Sequence, residues 1–320
     1  MEHTKKKFSI YNQNVVGYVF IMPWLVGFLC FTLVPFLMSF VLSFTNFNIL
    51  SPDTKFVGFD NYVKLFTQDK LFIKSLKVTF KFAFISVPLR LIFALLVAMI
   101  LNRKSRAVPV YRVVYYLPSI IGGSVAVSVM WRNLFTKAGG INNPLPAVGI
   151  DCRLNWLSNT KTALFTLILL YVWQFGSSML IFLSGLKQIP VSYYEAAEVD
   201  GAGKVRQFFS ITLPLLSPII LFNLVMQIIN GFMVFTQAQI ITDGGPVNET
   251  LVYILYLYQN SFKYYEMGYG SAMAWILLVI VGFFTALVFK SSSQWVFYEN
   301  NSDMAGGKKK KGRKGGRKSS

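Results

Sequence analysis

Apolar residues run through this chain in long stretches, without the short alternations of half-buried strands or the narrow stripes of surface helices. Crossing a bilayer takes about 20 consecutive, mostly apolar residues. Six stretches reach that length, near 18–44, 78–101, 113–131, 163–186, 215–236 and 270–290. The pattern predicts an all-α membrane protein with six transmembrane helices. The first stretch is longer than a signal-peptide core and lacks a small-residue cleavage site after it, so it reads as a retained helix, kinked or broken near Pro23 or Pro35. The fifth is interrupted by Asn223, Gln227 and Asn230. This reading gives a cytoplasmic segment 1–17, a membrane domain 18–299, and a basic tail 300–320 that is expected to be disordered.

Composition narrows the function classes. Only 14% of residues are charged and 54% are hydrophobic, against roughly a quarter charged in soluble domains. That excludes a disordered chain, a coiled coil and most water-soluble enzymes. A net charge of +18 first suggests nucleic acid. Beside such apolar excess it fits anionic lipid better, with the tail Gly306 to Ser320 as the chief contact, and no nucleic acid is expected. One His and two Cys leave no material for a zinc site or a disulfide framework. Cys30, in a span, and Cys152, in an outer loop, are expected to be free thiols. Trp24, Trp131, Trp156 and Trp275 fall near span ends or in an outer loop, as interfacial aromatics do. Placing both termini in the cytoplasm puts more Lys and Arg inside than outside, although without the tail the two sides tie.

Polar residues inside spans narrow it further. Asn223, Gln227 and Asn230 share one face of span five, and Tyr171, Gln174 and Ser178 share one face of span four. Uncharged groups of this kind suit neutral sugars, and Trp173, Phe175 and Phe232 could stack on pyranose faces. The same residue types also join helices by hydrogen bonds. Arg90 lies about nine residues, roughly 13 Å, along span two from Lys81, and no span holds an acidic residue to pair with it. Backbone carbonyls, snorkelling or a partner chain account for it most simply; a pathway-facing Arg90 would favour an acidic sugar. Gly122, Gly123, Ser124, Ala126 and Ser128 predict close helix packing for span three.

The segment after span four has a different character. Ser192 followed by Glu195 predicts a capping box and a short helix, which Gly201 and Gly203 can end. A second short helix would then present Phe208, Phe209 and Ile211, with Pro214 ahead of span five. This is either an amphipathic linker or a rigid peg whose small Ala196 and Ala197 allow insertion into a partner's cleft.

The same residues resemble the EAA loop (190–214 here) of permease subunits of binding-protein-dependent ABC importers. That family reads Glu-Ala-Ala, three residues, Gly, nine residues, Ile, one residue, Leu-Pro, as do Glu195, Ala196, Ala197, Gly201, Ile211, Leu213 and Pro214. Asp200, Ala202, Phe208 and Pro218 are similar to the carbohydrate branch. So are Thr45-Asn-Phe-Asn48, Phe56-Val-Gly58-Phe-Asp-Asn61-Tyr62, Tyr116-Leu-Pro118, Gly244-Gly-Pro246, Tyr269 to Trp275 and Trp295 to Glu299. The resemblance is to the first permease subunit of multiple-sugar, raffinose or maltose-type importers.

It implies a type I importer permease in a bacterial plasma membrane, with a second permease subunit forming the other half of the pathway. Two ATPase subunits would carry ATP and Mg, and an external binding protein would deliver the sugar. Glu195, Ala196, Ala197, Asp200, Gly201, Ala202, Ile211, Leu213 and Pro214 would then couple to the ATPase, and Tyr171, Gln174, Ser178, Asn223, Gln227 and Asn230 would line the substrate pathway. The chain itself has no P-loop, and no cofactor bound by it or catalytic residue is expected. The alternatives are an importer of another solute, such as a glycerophosphodiester, peptide or polyamine, or a secondary transporter.

Overall fold

The computed structural model describes residues 13–51, 53–103, 106–143 and 155–297. The tail, the first twelve residues and Cys152 lie outside them. The described residues are helical apart from loops and one antiparallel bridge between Thr45 and Phe56.

In chain order the helices are α1 (Gln13–Phe28), α2 (Val34–Leu42), α3 (Asp60–Thr67), α4 (Lys70–Leu101), α5 (Val108–Ile121), α6 (Val125–Leu134), α7 (Ala163–Trp173) and α8 (Gly176–Leu186). Then follow α9 (Val191–Val199), α10 (Lys204–Gln207), α11 (Leu213–Phe232), α12 (Thr236–Ile241), α13 (Tyr253–Tyr258) and α14 (Met267–Trp295). Four helical stretches are long and apolar enough to cross a membrane: Gly17–Leu42, Lys70–Leu101, Lys204–Ile241 and Met267–Trp295. The bent pairs α5–α6 and α7–α8 bring the total to six if each is one span.

The predicted stretches 113–131 and 163–186 are therefore each broken into two helices. Between α5 and α6 the axis turns by 98°. Gly122 and Gly123 weaken the helix there, and Ser124, in extended conformation, restarts it by accepting the Val127 N–H at 3.3 Å. The small residues thus make a corner as well as a packing face. Between α7 and α8 the bend is 41°, with Gln174 and Phe175 at the break.

Prolines shape the other two deviations. Pro23 sits inside α1 without breaking it, whereas a wide turn, Leu29–Leu33, precedes Pro35. A second wide turn, Phe208–Thr212, precedes Pro214. In each, an N–H reaches five residues back, Val34 to Leu29 and Leu213 to Phe208. A proline ring would clash with the carbonyl four residues before it, and widening the preceding turn relieves that crowding. The expected separate helix before span five is therefore continuous with it, from Lys204 to Phe232.

The chain forms two compact units. Unit one holds residues up to Lys70 together with Leu257–Leu278. Here Phe44 meets Phe40 and Phe59 edge to face and leans on Tyr62, and Trp275 packs on Phe36 and Phe40. The Asn61 amide donates to the Ser43 and Thr45 carbonyls at 2.8 and 2.9 Å. The Gly268 N–H donates to the Phe47 carbonyl at 2.9 Å, and a Cβ on Gly268 would come within 2.1 Å of the Thr45 oxygen. Sequence segments far apart in the chain, around Thr45, Asn61 and Tyr269, therefore meet in one substructure. Unit two holds Leu71–Tyr256 and the chain from Val279 onward. Its core lies between α4, α7, α8 and α11, around Phe82, Leu170, Met179, Phe182 and Leu216.

Candidate functional site

The loop between α8 and α11 is built outward from the membrane domain. Helix α9 starts at Pro190, whose fixed φ of −60° and ψ of 135° make it the N-cap. Ser192 and Glu195 consequently fall inside the helix, and neither caps it with its side chain. That corrects the capping-box expectation: proline sets the start two residues earlier. The C-terminus behaves as expected. The Gly201 N–H donates to the Glu198 carbonyl at 3.0 Å and the Ala202 N–H to the Ala197 carbonyl at 2.8 Å. This paired closure needs a left-handed residue at the turn, and Gly201 supplies it at φ 75°.

Three side-chain contacts brace the loop. Tyr194 Oη and Thr212 Oγ1 share a hydrogen bond of 2.9 Å, and Gln207 Nε2 donates to the Ala202 carbonyl at 3.0 Å. Lys204 pairs with Glu198 across the turn, and this hydrogen-bonded charge holds the Glu198 carboxyl below its usual range. A concavity of about 220 Å³ opens between the two arms, lined by Ala197, Asp200, Ala202, Arg206, Gln207, Ser210 and Ile211.

No residue of α9 is buried. Glu195, Ala196, Asp200 and Gly201 are exposed, and Ala197, Ala202, Ile211, Leu213 and Pro214 are half-buried. Val199 and Val205 are 89% and 74% exposed. At the other end of the loop, Ser217 Oγ accepts the Phe297 N–H at 2.8 Å, which seats the end of the last helix beside the start of α11.

The membrane-embedded polar residues form a second constellation. Tyr171, Gln174, Ser178, Asn223 and Gln227 are all buried. Tyr171 Oη lies 3.1 Å from both the backbone and the side-chain oxygen of Gln227, and Gln227 Nε2 donates to Ser178 Oγ at 3.1 Å. Gln174 Nε2 donates to the Gly122 carbonyl at 3.0 Å. Asn223 Nδ2 donates to the Ile219 carbonyl, while its buried Oδ1 has no partner among the described residues. Most of these groups thus serve one another.

Asn230 is exposed. Three residues beyond Gln227, it sits about 60° round the helix from it, enough to leave the buried face. Phe175 and Phe232 are buried against Phe93 and against Phe80 and Phe284, while Trp173 is half-buried beside Trp131.

Sequence reasoning did not single out Gly176. A Cβ there would lie 2.4 Å from the Tyr115 oxygen, so α8 starts against the backbone of α5. The run of small residues Gly176-Ser177-Ser178, two positions after Gln174 in a span, was the available signal.

Residues 79–297 match the family described as binding-protein-dependent transport system inner membrane component. A probable ABC transporter permease protein, YesP of Bacillus subtilis (strain 168), is 56% identical over 301 residues, covering 93% of this chain and 97% of the relative. The arabinooligosaccharides transport system permease protein AraP of the same organism is 32% identical over 276 residues, covering 85% of this chain and 86% of AraP. Among solved structures, a chain of a bacterial alginate ABC transporter in complex with an alginate pentasaccharide-bound periplasmic protein aligns with a TM-score of 0.74. Its identity is 23%, with 87% of this chain and 93% of that one covered; the likeness is one of fold.

Proposed function

Because the chain belongs to the family of binding-protein-dependent transport system inner membrane components, we propose that it is the permease subunit of an ATP-driven sugar importer. It spans a bacterial plasma membrane six times with both termini inside. It forms half of the translocation pathway, and a second permease subunit supplies the other half. Curated relatives named for arabinooligosaccharide, lactose and trehalose/maltose transport support a sugar, and an oligosaccharide above others, as the cargo.

The observation that carries the coupling role is helix α9. Nine residues of helix, closed by a left-handed glycine turn and braced by Tyr194, stand outside the chain's own core with no buried side chain. Such a helix, with exposed Val199 at its end and exposed Val205 just beyond the glycine turn, is a peg for a partner. That partner is one of two ATPase subunits, which hold ATP and Mg; an external binding protein delivers the sugar on the other side. Glu195, Ala196, Ala197, Asp200, Gly201 and Ala202 transmit the ATPase motion, and Ile211, Leu213 and Pro214 anchor the loop to α11.

In the pathway, Asn230 and Trp173 keep polar or aromatic surface free for a sugar, whereas Tyr171, Gln174, Ser178, Asn223 and Gln227 hold the wall in shape. Anionic lipid at the basic tail is a further contact.

Mild-detergent purification from native membranes tests the assembly. A second permease and a P-loop ATPase are expected to come with this chain, and Glu195→Lys is expected to lose the ATPase while keeping the permease pair. Recovery of the chain alone, transporting without ATP after reconstitution, would sink the reading.

A further inference from the structure

Both helix breaks in unit two expose backbone groups where a membrane offers no water to satisfy them. The end of α7 leaves the Gln174 carbonyl without an intrahelical donor, and the 98° corner after α5 does the same to the Gly122 carbonyl. One chain of side chains answers both. Arg90, on α4, donates from its terminal guanidinium nitrogen to the Gln174 carbonyl, and Gln174 Nε2 donates onward to the Gly122 carbonyl at 3.0 Å. The guanidinium also lies over the Tyr171 ring, 4.5 Å from its centroid, and Tyr171 carries the connection to Gln227 on α11.

Arg90 is 7% exposed, and none of the membrane-length helices contains Asp or Glu. The usual neutralising partner of a buried cation is therefore replaced by a carbonyl and an aromatic face. Space is as tight as the hydrogen bonding: a Cβ on Gly122 would stand 2.4 Å from Gln174 Cγ. Together with the contact of Gly176 on Tyr115, this seats the two breaks against each other.

We infer that Arg90 is a positioning residue that, through Gln174, ties the break in the α7–α8 span to the corner of the α5–α6 span, so that the two move as one joint during transport. The guanidinium fork suits this task because it keeps several donors available in one plane. One reaches the carbonyl while the face stays on Tyr171. A lysine keeps the charge and loses the fork.

Hydrogen exchange read by mass spectrometry on the assembled complex tests the tie directly. Arg90→Met is expected to raise exchange roughly tenfold or more in both 172–178 and 119–126, as loss of a charge-assisted hydrogen bond would. Gln174→Leu is expected to raise it in 119–126 alone, because its backbone carbonyl still accepts from Arg90. Arg90→Lys is expected to give a smaller rise in both segments, and it stands in if the Met variant fails to assemble. A rise confined to 172–178 in the Arg90 variants, or none, overturns the tie.

The transport consequence rests on the permease reading, whereas the exchange result does not. Uptake of a neutral and a uronate-containing oligosaccharide by Arg90→Lys is expected to show a lower maximal rate with KM changed less than about twofold. A rise in KM for the uronate alone, with exchange unchanged, would put Arg90 against the substrate and overturn the positioning role.

Discussion

At Gly201 the demand is conformational and not steric. Its φ of 75° lies where L side chains are strained, yet no atom stands within 4 Å of where a Cβ would be. Gly201→Val should therefore cost about 1–2 kcal/mol and open the turn. Gly201→Asn, which tolerates that region, should keep much of the uptake. Thermal unfolding of the complex and uptake assays check the pair, and equal loss in both would mean that the open space around Gly201 is filled by a partner. The pathway residues divide similarly. Gln227→Leu removes the donor to Ser178 while Tyr171 keeps a backbone acceptor, so about 1 kcal/mol of stability should go. Asn230→Ala should leave unfolding unchanged, because the residue is exposed, and should alter uptake kinetics if its amide meets the sugar. Unchanged kinetics would remove Asn230 from the pathway.

Elements repeat the lesson with backbone in place of side chains. Gly176→Ala would drive a methyl against the Tyr115 carbonyl oxygen, and neither helix can yield without moving the other. The substitution should cost about 1–3 kcal/mol and lower the unfolding temperature of the complex, whereas Gly123→Ala, with nothing within 4 Å, should be tolerated. Equal effects at the two glycines would refute the close approach. The long apolar helices and the loop motif were legible because apolar length and the spacing from Glu195 to Pro214 are local properties. The breaks were not. An apolar run looks the same straight or bent, and what decides is whether a donor from another helix can satisfy the freed carbonyls, as Arg90 and Gln174 do here. Pro190 outranked Ser192 as the start of α9 for a related reason: a locked φ needs no side-chain partner, while a capping serine must find an N–H.

For the whole molecule, a topology experiment reads which face meets the cytoplasm. The loop carrying α9 follows the fourth span, and the segment around Val247 follows the fifth, so with six spans the two lie on opposite sides of the membrane. The permease reading puts the α9 side inside, because an ATPase has to reach Glu195 and Gly201, and the Lys and Arg of the tail favour the same orientation. Val199 and Val247 are 89% and 74% exposed and make suitable reporters. In a background with Cys30→Ser and Cys152→Ser, Val247→Cys should react with a membrane-impermeant maleimide on intact cells. Val199→Cys should react only after the membrane is opened, and more slowly once the ATPase is bound. Labelling of Val199→Cys from outside would invert the topology and detach α9 from any ATP-driven partner. Labelling of both from one side would mean that the helix between them, Lys204–Ile241, does not cross the membrane, and would remove it from the count of spans.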